Sequence, residues 1–95
     1  MSSKRKESLG AEIDRLIQTE FKEKDHDLVK GFLSKLHLND VGGSQGELNS
    51  ARSCIIMLAE GSAFQVKDLV KSAKEDYRDI VAAAHLMRKS KRRLP

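Results

Sequence analysis

No tryptophan occurs in the 95 residues, aromatic side chains make up 4%, and cysteine and proline appear once each. Each scarcity excludes something. A single cysteine, Cys54, forms no internal disulfide. With no CxxC and no convincing Cys/His ligand spacing, no zinc site or other metal or cofactor is expected, and the chain reads as cytoplasmic rather than secreted. No aromatic lies near the basic C-terminal run to stack nucleic-acid bases. Long apolar runs are also missing: "CIIMLA" (54–59) falls far short of the ~20 residues that span a bilayer. The opening "MSSKRKESLG" has charges but no apolar stretch behind them, so no signal peptide is expected.

What is abundant is charge, 34% of residues, set against 39% hydrophobic residues that recur in patterned blocks. Such a chain folds as one domain with a single modest core of Leu, Ile, Val, Ala and Met, which suits helix packing. The net charge of +4 is unevenly spread. Lys4, Arg5 and Lys6 lie in a basic, flexible N-terminus (1–7), and Arg88, Lys89, Lys91, Arg92 and Arg93 in a basic C-terminal tail (88–95). Residues 7–87 hold ten basic and fourteen acidic residues, a net of −4. A mildly acidic helical domain at 8–87 thus carries two basic ends, which attract phosphates without reading sequence.

The spacing of apolar residues predicts four or five short amphipathic helices in one all-α bundle. Leu9, Ile13, Leu16, Ile17 and Phe21 form a stripe of period 3.6 in a first helix from Ser8 to about Lys24. Val29, Phe32, Leu33 and Leu36 mark a second, capped by Asp25 or Asp27, with Gly31 inside it calling for a close helix–helix contact. "HLNDVGG" (37–43) reads as an interhelical loop, because the Gly42-Gly43 pair lacks the pattern of a phosphate-binding loop. "SQGE" (44–47) fits a reciprocal capping box between Ser44 and Glu47, opening a third helix that is apolar over most of its circumference and therefore central. Gly61 is placed to end it in a left-handed cap, and Ser62 to cap the next helix in "SAFQ" (62–65). Val66, Leu69, Val70 and Ala73 line that helix, with Lys67, Asp68, Lys71 and Lys74 mostly outside. At "AKEDYRDIVAAAH" (73–85) one helix running through competes with a break at Asp76, and the break is favoured because Asp76 and Asp79 suit a first turn. The expected core is Leu16, Ile17, Phe32, Leu33, Ile55, Leu58, Leu69, Val70, Ile80 and Val81.

Candidate chemistry has a plainer explanation in each case. Glu75, Asp76 and Asp79 form the densest acidic group, but Lys74 and Arg78 interleave and neutralise them, as at a salt-bridged helix start. Tyr77 keeps the apolar spacing, so its ring is half-buried with the hydroxyl at the surface. Arg78 pairs with Glu75 or Asp79. His26, His37 and His85 point to no common site, and Cys54 reads as a buried core residue with a raised pKa.

The motifs "ARxxIxxLAxG" at 51–61 and "AKxDYRD" at 73–79, followed by an apolar run, carry a resemblance over 51–84, about a third of the chain. This segment resembles the end of small all-helical bacterial proteins of no assigned activity. The resemblance implies a helical fold and a bacterial, cytoplasmic setting, and it implies no catalytic residues. The expected function is a small non-catalytic protein-interaction or regulatory module, binding a protein partner or a second copy of itself. The alternative is a nucleic-acid-binding accessory protein using Lys4, Arg5, Lys6, Arg88, Lys89, Lys91, Arg92 and Arg93. An enzyme using Tyr77, Asp76 or Cys54 is the least favoured reading, and no membrane association is expected.

Overall fold

The computed structural model describes residues 9–93, with side chains as far as Arg88. Four α-helices make the fold among them: α1 (Ala11–Glu20), α2 (His26–Leu33), α3 (Gln45–Ala59) and α4 (Ala63–Arg93). Short 3-10 turns at Glu23–Asp25 and Leu38–Val41 join the first three helices, and no strand occurs among the described residues. The protein is therefore an all-α bundle. No helix among the described residues is long and apolar enough to cross a membrane.

The core follows the apolar stripes. Ile13 and Ile17 of α1, Val29 and Leu33 of α2, Ile55 and Ile56 of α3, and Val66, Val70 and Ile80 of α4 are buried. Leu16, Phe32, Leu58, Leu69 and Val81 are half-buried and pack against this cluster. α3 packs against both α1 and α4, while α2 packs against α4 and α1. The apolar circumference of α3 is thus covered from two sides, as its composition requires.

Helix ends show where local chemistry prevailed and where it did not. Gly10 stands at the N-cap of α1 and offers no side-chain cap, while Ser8 lies outside the described residues. α1 stops at Glu20 rather than near Lys24, because Phe21 turns to extended backbone and buries its ring. Asp25 precedes α2 without a side-chain cap bond. Gly31 faces open space, so the close contact expected there is absent. At α3, Ser44 Oγ accepts from the Glu47 amide at 3.1 Å, which is half of the expected box. The Glu47 carboxylate turns to the Tyr77 hydroxyl instead, accepting from it at 3.4 Å. Gly42 makes room for this: its φ of +93° suits glycine, and a Cβ there would collide with the Glu47 carboxylate.

The corner between α3 and α4 is tight. Glu60 itself takes the left-handed conformation, with φ 49°, one residue earlier than expected, and Gly61 follows at φ 85°. A Cβ on Gly61 would meet the Glu20 carbonyl at 3.3 Å, so the corner also closes against the end of α1. Ser62 Oγ then accepts from the Gln65 amide at 3.3 Å and starts α4.

α4 is kinked at Asp76, whose φ of −162° and ψ of 95° are extended rather than helical. The Asp76 carboxylate accepts from the Arg78 amide at 3.1 Å, so it caps the second half of α4 from within. Replacing Asp76 with alanine should cost about 1 kcal/mol, and Asp76→Ser should recover most of it. Urea unfolding of the two variants checks this, and equal loss in both would assign the kink to packing alone.

Candidate functional site

The C-terminal end of α2 is where three helices converge chemically. A helix end leaves carbonyls without intrahelical partners, and cations are favoured there. After Leu33 the chain continues in 3-10 hydrogen bonds, Lys35 N to Phe32 O and Leu36 N to Leu33 O. The carbonyls of Lys35 and Leu36 then meet two basic side chains from different helices. Lys74 Nζ of α4 donates to Lys35 O at 2.8 Å, and Arg52 Nη2 of α3 donates to Leu36 O at 3.0 Å. Arg52 is buried at 7% exposure, and its Nε has no partner among the described residues. Burial pushes its guanidinium pKa down.

Lys74 also binds Asp40 at 3.2 Å, and Asp40 accepts from the His37 amide at 2.8 Å. The His37 amide, and after it Lys74, hold the Asp40 carboxyl below its usual range against the opposing effect of burial. A depressed pKa stabilises the fold above the unfolded value, and the contribution is lost as pH falls through both. The stability advantage of the native chain over Asp40→Asn should therefore be full at neutral pH and shrink between about pH 5 and pH 3. Thermal melts of both proteins across that window check it; a constant difference would remove Asp40 as the cause.

An open groove of about 590 Å³ lies beside this clasp, between α2 and α4. Phe32 and Val70 form its apolar part, and Lys35, His37, Lys67, Asp68, Lys71 and Lys74 complete its lining. Phe64, 74% exposed, precedes the lysines on α4. Positions 64, 67, 71 and 74 recur at three and four residues and so share one side of the helix, next to the buried stripe Val66, Val70 and Ala73. None of the ion pairs among the described residues engages Lys35, Lys67 or Lys71. Sequence reading placed Lys67, Lys71 and Lys74 mostly in solvent; the signal for their shared face was their regular spacing, and Lys35 had no such signal.

Of the residues singled out for chemistry, Tyr77, Arg78 and His85 line one cavity, and Cys54 lines a second that also includes His85. Tyr77 is half-buried and shares a cavity of about 490 Å³ with Glu47, Ser50 and His85. Arg78 pairs with Asp76 at 3.2 Å rather than with Glu75 or Asp79. Cys54 is buried, and burial raises its thiol pKa. It lines an adjoining cavity with Ser53, His85 and Arg88. Glu23 and His26 stand at the Glu-x-x-His spacing found in helical metal sites, but His26 Nε2 donates to the Phe21 carbonyl at 2.9 Å. No group of three or more His, Cys, Asp or Glu among the described residues is arranged to hold a metal ion.

Of the basic ends, Lys4, Arg5 and Lys6 lie outside the described residues, as do the side chains of Lys89, Lys91, Arg92 and Arg93, although the α4 backbone continues to Arg93. Arg88 is exposed. It lines two cavities together with Glu12, in the first turn of α1, one of them about 610 Å³ in volume. The start of α1 and the start of the basic run therefore lie at the same end of the bundle. No protein-family model, curated protein or solved structure matches the chain.

Proposed function

We propose that this chain is a small non-catalytic protein-interaction module. The observation that carries the reading is the α2–α4 groove, an apolar strip bordered by four lysines, of which Lys35, Lys67 and Lys71 have no ion pair among the described residues. Apolar centres with polar rims are the anatomy of protein interfaces. Phe64, far more exposed than an aromatic in a self-contained domain needs to be, extends the same side of α4.

The experiment is affinity capture from a bacterial extract treated with nuclease, using the full chain and its Phe64→Asp variant. The reading expects a saturable protein partner retained after nuclease and lost with Phe64→Asp. Capture that disappears with nuclease overturns it.

A second reading has its own observation. Because Glu12 and Arg88 share a cavity, the start of α1 and the start of the basic run lie at one pole of the bundle, and clustered basic residues attract phosphates. This supports a nucleic-acid accessory role. It expects retardation of generic DNA and RNA that weakens steeply with salt. The retardation should be lost when Arg88, Lys89, Lys91, Arg92 and Arg93 are all changed to glutamine.

A further inference from the structure

We infer that the α2–α4 groove receives an acidic amphipathic helix of a partner protein. This rests on the interaction-module reading and adds the chemistry of the partner. The body of the chain is net acidic, yet four of its ten basic residues, Lys35, Lys67, Lys71 and Lys74, border one groove. Three of those ammonium groups have no ion pair among the described residues. Lysines spread over an otherwise acidic surface would repel less; gathered here, they make a local positive field that Asp40 and Asp68 answer only in part.

Shape selects a helix. Two neighbouring helices present a groove into which a third packs, at interaxial distances of about 8–10 Å. From Phe64 to Lys74 the α4 stripe rises about 15 Å, close to three turns of a docked helix. Carboxylates repeating at three and four residues on that helix fall opposite Lys67, Lys71 and Lys74, which repeat the same way. Its apolar anchor meets Phe32 and Val70. This is recognition of an amphipathic helix in a groove.

The composition favours a peptide over a nucleic-acid strand. Asp68 sits among the lysines, and a phosphate backbone has no group to offer it, whereas a peptide answers it with a lysine, an arginine or an N–H. The apolar floor likewise matches a leucine or phenylalanine better than a phosphate. The basic ends of the sequence, with no aromatics near them along the chain, differ in composition from this groove.

The test uses a fluorescently labelled helical peptide with glutamates at i, i+3 and i+7 beside leucine anchors, and a scrambled peptide of identical composition. Anisotropy with the full chain should show binding of the patterned peptide at least about tenfold tighter than the scrambled one. Amide NMR shifts should move at residues 32, 35, 67, 71 and 74. Lys67→Glu with Lys71→Glu should weaken binding by about tenfold or more, while Lys67→Arg with Lys71→Arg and the glutamine variant of residues 88–93 should retain it. Both lysines are exposed, so the variants fold, and circular dichroism verifies this.

The inference is overturned if the patterned peptide binds no better than the scrambled one, or if charge reversal leaves binding unchanged. It is also overturned if single-stranded DNA of matched charge binds the same lysines more tightly. Failure of the peptide while the nuclease-resistant partner is still captured removes only the acidic helix. Loss of that partner as well removes the interaction module itself.

Discussion

Replacing Ile55 with aspartate should unfold the domain. Ile55 has no exposed surface and sits in the middle of α3, the helix covered by both α1 and α4. Removing its side chain from the core forfeits apolar burial and opens space, which costs about 2–5 kcal/mol for truncation of a buried isoleucine. The carboxyl adds a desolvation penalty of several kcal/mol whether it stays ionised or takes a proton, because Ile55 belongs to a cluster of buried apolar side chains. The total exceeds the roughly 5 kcal/mol at the lower end of small-domain stability. Far-UV circular dichroism at neutral pH should show the helical signal largely lost and no cooperative melt. Ile55→Val should remain folded and lose only about 1 kcal/mol. Leu86→Asp, placed where the native side chain is 65% exposed, should change stability by less than about 0.5 kcal/mol. A cooperative melt from Ile55→Asp would overturn the central position of α3.

Arg52→Ala should be the most damaging substitution of a polar residue, at about 3 kcal/mol. It leaves the Leu36 carbonyl, the last acceptor of the α2 end, without its donor. It also empties the volume of a long, buried side chain. Arg52→Met separates the two contributions. Methionine refills the space and removes both a desolvated charge and the unpartnered Nε, leaving the Leu36 carbonyl as the sole loss, at about 1 kcal/mol. Urea unfolding should therefore rank the native chain first, Arg52→Met close behind and Arg52→Ala far lower. Equal stability of Arg52→Ala and the native chain would show that the clasp on α2 contributes nothing.

Much of the architecture was legible because helix burial repeats with the helix period. Ile13 and Ile17, Val29 and Leu33, and Val66 and Val70 declare one face each, and the structure buries all six. Ser44 and Ser62 act as caps because their hydroxyls reach an amide three residues on, an interaction held within one turn. The break at Asp76 was legible for the same reason, since its carboxylate competes for the backbone of its own neighbours. Glu47 misled: its local partner was the Ser44 amide, but Tyr77, 30 residues away, takes its carboxylate. Gly31 misled as well, its helical interior facing solvent rather than a neighbouring helix.

The sequence by itself determined the helices, their apolar faces, the cap at Asp76 and the segregation of charge between an acidic body and basic ends. These depend on residues within a few positions of one another, where spacing and side-chain reach suffice. Only the tertiary structure decided that Arg52, polar within an apolar helix, would be buried under the end of α2, 16 residues upstream. It alone decided that Lys35 would stand beside Lys67, Lys71 and Lys74 across a groove, and that Glu12 and Arg88 would share a cavity. Each of these juxtapositions is set by which helix packs on which, and that choice is made by the sum of many weak apolar contacts rather than by any residue whose role can be read alone.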